Sequence, residues 1–227
     1  GNKNLEEKGG IIMGEVIWTK EYKIERYWKM NETAEKGQIL CAGSSLMEMF
    51  PIEKFAEELK LPVTIYNRGV GGFVMRELEE NLDVCILDLK PSRLFLNIGT
   101  NDLSNAEVTP ELLAAEYDKL LERIEAALPE TEIYLMAYYP VNYEAAAPEM
   151  KPCLLVRSNE KICLANEKVR ALAEKHHARY IDVNDALKDA DGNLKAEYTI
   201  EGMHIKEIGY RAMLPDFLSY VTEARWK

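Results

Sequence analysis

A chain of 227 residues with 47% hydrophobic content is long enough to bury one substantial core, so one domain over residues 1–227 is expected. Its 39 acidic against 28 basic residues give a formal charge of −11, which opposes non-specific attraction to nucleic acid or anionic lipid, and no nucleic-acid partner is expected. No run approaches the ~20 apolar residues of a membrane-spanning helix, so a soluble, cytoplasmic protein without a membrane span is expected.

The chain begins Gly1-Asn2-Lys3 without a methionine, which leaves a removed export signal, and so secretion, open. Residues 1–13 show no periodicity and read as a loose lead-in. From Ile17 to Met30, the residues Ile17, Trp18, Ile24, Tyr27 and Trp28 suit a short amphipathic helix packed on the body. Short apolar runs then alternate with longer helical patterns. The runs are Gln38–Ala42, Val63–Tyr66, Arg93–Ile98, Glu132–Ala137 and Arg179–Val183, each what a strand covered on both faces requires. The helical segments are Glu53–Leu61, Val74–Leu89, Pro110–Leu128, Asn159–His176 and a last one from Glu207 to Ala224. Alternation of this kind implies βαβ crossovers and a three-layer α/β/α sandwich, with a five-stranded, mainly parallel sheet of flavodoxin-like arrangement.

The longest irregular stretch, Tyr138–Ser158, follows a strand end, where open α/β sheets bind ligands, and is expected to line a substrate pocket. Cys41, Cys85, Cys153 and Cys163 form no C-x-x-C pair and read as reduced.

Four segments at junctions carry candidate chemistry. After the first strand, Gly43-Ser44-Ser45-Leu46 places serines on a strand-to-helix turn, where they either cap the helix or expose a nucleophile beside backbone N–H groups. After the second, Gly69-Val70-Gly71-Gly72 lacks the three set glycines of a dinucleotide fingerprint; turns at positive φ and an N–H held open toward a reacting oxygen account for it better. After the third, Gly99-Thr100-Asn101-Asp102 offers a side-chain amide as oxyanion donor or an Asx turn closing the strand, with Asp102 accepting backbone N–H groups. Before the last helix, Glu201-Gly202-Met203-His204 puts a carboxylate three residues ahead of an imidazole, within reach of its Nδ1. His176 and His177 sit at a helix end and suit a solvated role there.

All four segments fall on the same predicted carboxyl edge, and together they resemble blocks I, II, III and V of the SGNH hydrolases, also called GDSL esterases and lipases. The G-x-G-G form of the second block is similar to the platelet-activating-factor acetylhydrolase-like branch and favours Gly72 over Gly71 as a donor. The resemblance implies Ser45 as nucleophile, His204 as base, Glu201 as its carboxylate partner, and an oxyanion hole from the Ser45 and Gly72 N–H groups with the Asn101 amide. It departs at Ser44 and Glu201, where the family usually carries aspartate.

The implied activity is hydrolysis of a small-molecule carboxylic ester through an acyl-enzyme, with short acyl groups such as acetyl on a carbohydrate or lipid-like alcohol. Neither metal nor organic cofactor is expected, and homo-oligomerisation stays open. The aromatic-rich segment Tyr138–Tyr143 suits stacking on a sugar or covering an acyl chain. Two rival readings are a non-catalytic flavodoxin-like ligand-binding module, which would hold Ser45 and His204 too far apart to bond, and an acyltransferase to a sugar hydroxyl.

Overall fold

The computed structural model describes residues 11–13 and 16–227, with side chains from Trp18 onward. The lead-in expectation for residues 1–10 lies outside the described residues, but Ile11–Met13 (β1) pairs antiparallel with Val16–Trp18 (β2). The helix expected from Ile17 instead begins after this hairpin. Thr19 caps it, its hydroxyl accepting the Tyr22 N–H at 3.0 Å, and α1 runs Lys20–Thr33. Its inward row is Lys23, Tyr27 and Asn31, at helical spacing but largely polar, while Trp28 faces solvent. Ile24 and Tyr27 pack inward as the periodicity places them, whereas the start of the helix and Trp28 depart from it.

The main sheet contains Ile39–Gly43 (β3), Ile65–Asn67 (β4), Arg93–Asn97 (β5), Glu132–Met136 (β6) and Arg179–Ile181 (β7), in the order β4-β3-β5-β6-β7 with every pair parallel. In chain order among these strands that is 2-1-3-4-5, the flavodoxin-like arrangement. Strand alternation divides the apolar residues between two cores. Leu40, Ala42, Leu94, Leu96, Ile133 and Leu135 face one cluster, whereas Ile39, Cys41, Phe95, Tyr134 and Met136 face the other. Both faces of the central strands are thus dry, which explains their uninterrupted apolar runs.

The first cluster is covered by α1, by Met75–Glu80 (α4) and Leu82–Cys85 (α5), and by Pro110–Ala127 (α7) and Asn159–Lys175 (α9). The second is covered by Ser45–Glu48 (α2), Ile52–Glu58 (α3) and Glu207–Val221 (α10). Two short helices, Thr100–Leu103 (α6) and Lys151–Val156 (α8), complete the set.

The single helix expected over Val74–Leu89 is broken at Asn81, whose amide turns back to the Glu77 carbonyl at 2.8 Å, and it ends in a 3₁₀ turn at Leu87–Leu89. The stretch Tyr138–Ser158 is not wholly irregular, because Pro152 falls in the first turn of α8, where its missing N–H costs nothing. The four cysteines are unpaired.

Candidate active site

Because every strand of the main sheet points the same way, the turns after β3, β4 and β5 open on one edge. The chain passes from β3 to β4 on one side and returns to β5 on the other, so the switch point of the topology lies between β3 and β5. Ser45 follows β3 and Asn101 follows β5. Close approach of the two strand ends demands glycine at residue 43, where a Cβ would lie 2.2 Å from the Asn97 carbonyl oxygen.

Ser45 is the first residue of α2, and neither it nor Ser44 caps that helix through its side chain. Ser44 is buried, and its carbonyl accepts the N–H groups of Met47 and Glu48. The Ser45 hydroxyl lies instead 3.1 Å from His204 Nε2. This distance removes the separation that the binding-module reading required.

On the far side of the ring, His204 Nδ1 is 2.5 Å from Glu201 Oε2. The other oxygen, Oε1, accepts the backbone N–H groups of His204 at 2.6 Å and Met203 at 3.1 Å. Burial by itself raises the pKa of Glu201, but the N–H groups of the turn and the imidazole outweigh it and hold the carboxyl below its usual range. The turn is fastened from outside: Asn142 N–H donates to the Gly202 carbonyl at 2.8 Å, and Ala147 N–H to that of Glu201 at 3.0 Å.

The stretch after β6 supplies that fastening. Tyr138 and Tyr139 are buried in opposite cores, and Tyr138 donates its hydroxyl to the Ile98 carbonyl at 2.7 Å, so neither forms the stacking surface expected from composition. Alternation on leaving a strand sends consecutive aromatics to opposite faces.

The two candidate donors of the glycine turn differ in their bonding. Gly71 N–H already donates to Glu48 Oε1 at 2.7 Å, whereas the Gly72 N–H has no acceptor among the described residues, and Gly72 sits at φ +81°. The Asn101 amide donates one N–H to the Phe73 carbonyl at 3.0 Å, which fixes its orientation and leaves its second N–H for a ligand. Asp102 accepts the Met75 N–H at 3.1 Å and 3.2 Å, as expected, and burial lifts its carboxyl to about 6 against the lowering effect of that bond.

His176 departs from expectation. It is buried between Asp118, 2.5 Å from its Nε2, and Glu125, 2.8 Å from its Nδ1, while His177 is exposed. Sequence reasoning also missed Glu48, Lys23 and Tyr27 around the glycine turn. No hydrophobic signal marks them, because the inward row Lys23, Tyr27, Asn31 is largely polar.

An α/β sheet of flavodoxin-like order, with a Ser–His–Glu relay at its carboxyl edge, has the architecture of an acylhydrolase. The chain belongs to the GDSL-like lipase/acylhydrolase family, whose model matches residues 49–212. The match takes in Gly72, Asn101, Glu201 and His204 and begins just after Ser45.

Among solved structures, a candidate platelet activating factor from Streptococcus pneumonia is 29% identical with a TM-score of 0.79, covering 97% of this chain and 95% of that one. An acetyl-xylooligosaccharide esterase from Geobacillus shares the fold at 16% identity, with a TM-score of 0.64 and coverage of 85% of this chain and 99% of that one. An N-acylneuraminate cytidylyltransferase of Escherichia coli is 25% identical over 190 residues. That alignment takes in 82% of this chain but only 40% of the relative, so the chain spans less than half of that protein's length.

Proposed function

We propose that this chain hydrolyses short-chain carboxylic esters through an acyl-enzyme formed on Ser45. The observation that carries this reading is the relay from Ser45 Oγ to His204 Nε2 at 3.1 Å and from His204 Nδ1 to Glu201 at 2.5 Å. His204 takes the hydroxyl proton as Oγ attacks the ester carbonyl, and Glu201 stabilises the imidazolium. The Ser45 and Gly72 N–H groups and the free N–H of Asn101 donate to the developing oxyanion. His204 then protonates the departing alcohol and activates the water that releases the acid. These steps need no metal or organic cofactor.

Acetyl esters of a carbohydrate or lipid-like alcohol are the proposed substrates, a choice supported by the acetyl-xylooligosaccharide esterase and platelet activating factor names among the similar structures. The test is p-nitrophenol release from p-nitrophenyl acetate by the wild type, Ser45→Ala and Asn101→Ala. Ser45→Ala is expected to be inert, and Asn101→Ala to lose on the order of 10² to 10³ in kcat while keeping measurable turnover. Wild-type turnover in Ser45→Ala overturns the reading.

A further inference from the structure

The glycine turn is held by a set of polar contacts that the relay does not use. Glu48 Oε1 accepts two donors, Gly71 N–H at 2.7 Å and Lys23 Nζ at 2.9 Å. Tyr27, one helical turn after Lys23, donates its hydroxyl to the Gly69 carbonyl at 2.6 Å, and the Asn67 side chain accepts the Gly69 N–H at 2.9 Å. The Lys23 side chain is only 11% exposed, so this ion pair is partly withdrawn from solvent. It is also next to the nucleophile. A methyl group placed on Gly71 would lie 3.3 Å from Glu48 Oε1, 3.4 Å from Lys23 Nζ and 3.7 Å from Ser45 Cβ.

That position creates a physical problem. A carboxylate so near the reacting carbon opposes the negative charge that develops on the substrate oxygen, and partial burial strengthens the repulsion. A lysine bonded to the same carboxylate oxygen cancels it. The carboxylate also engages Gly71 N–H, so the turn presents Gly72 and not a mixture of two donors.

We propose that Lys23 and Glu48 form a positioning pair for the oxyanion hole: Glu48 selects Gly72 as the donor by engaging Gly71, and Lys23 keeps the charge of Glu48 off the reaction. This rests on the acyl-enzyme reading and extends it to α1, a helix that precedes the matched family region. In this proposal both are positioning residues.

The test is a double-mutant cycle of Lys23→Met, Glu48→Gln and the double variant, measured as kcat and KM on p-nitrophenyl acetate with Ser45→Ala alongside. Lys23→Met leaves an unpaired carboxylate and is expected to lose roughly ten- to hundredfold in kcat with KM within about twofold. The double variant retains an acceptor for Gly71 and carries no charge, so it is expected to recover most of that loss. Contacts that matter only for folding would give a double variant no better than Lys23→Met, and that result overturns the proposal, as does kcat within about twofold of wild type in all three variants. Activity that persists in Ser45→Ala refutes the parent reading instead. Should the wild type not cleave this ester, amide hydrogen exchange over residues 68–74 decides the clamp: faster exchange at Gly71 in Glu48→Ala is expected, and unchanged exchange overturns it.

Discussion

Glutamate at residue 201 has one methylene more than the aspartate usual in the family, and the turn it starts makes use of the extra length. The carboxylate folds back so that one oxygen meets the imidazole while the other gathers the N–H groups of Met203 and His204. A single side chain thus closes the turn and orients the ring, which fixes the tautomer with a proton on Nδ1 and the lone pair of Nε2 toward Ser45. Asp102 illustrates the opposite balance, because burial raises its carboxyl from 3.8 to about 6 despite the Met75 N–H. The folded chain therefore disfavours the ionised form, so the stabilisation gained from protonation is complete below the unfolded pKa and is lost as pH rises through about 6. Asp102→Asn does not titrate, and the stability of wild type relative to this variant should fall by up to about 3 kcal/mol between about pH 4 and pH 8. Urea titrations at the two pH values check it, and a gap that widens with pH refutes it.

At the scale of elements, the turn carrying the relay depends on the stretch that follows β6. Gly202 has φ +109°, and a Cβ there would lie 2.6 Å from Ala146 Cβ and 2.9 Å from the Asn142 carbonyl oxygen. Gly202→Ala combines backbone strain of about 1–3 kcal/mol with this clash, so it should lower Tm and cut kcat together by displacing Glu201 and His204. Wild-type kcat in a folded Gly202→Ala chain would show that the stretch merely covers the turn. The five central strands, the last helices and the four junction motifs were legible in the sequence because two dry sheet faces leave continuous apolar runs, and because reactive side chains cluster where such runs stop. The Lys23–Tyr27–Asn31 row was not legible, since polar residues on the inward face of a helix cancel the hydrophobic signal. Nor was the fate of Tyr138 and Tyr139, which composition placed at a surface and strand alternation sends inward.

For the whole molecule, the edge opposite the site is tied by charge. Glu132, fully buried on β6, pairs with Arg93 on β5 at 2.9 Å and with Arg225 near the C-terminus at 3.0 Å, and it accepts the Trp226 N–H. Arg93 also donates to the carbonyls of Tyr220 and Val221 at 3.0 Å, joining the sheet to the end of α10. Arg93→Met removes one partner of a buried pair and should destabilise by about 3 kcal/mol while leaving KM unchanged, as measured by urea unfolding and steady-state kinetics. A shift in KM without loss of stability would contradict this division between a structural edge and a reactive one.

The bond between Ser45 and His204 spans 159 positions of the chain. No fragment holding only the β3 turn or only the last helix contains this contact, so the relay belongs to the completed sheet. Contacts of such long separation close late, after the loops between them have given up their entropy. On the proposed mechanism, a nascent or partly unfolded chain would carry an unactivated serine, and hydrolysis would await the meeting of these two distant segments.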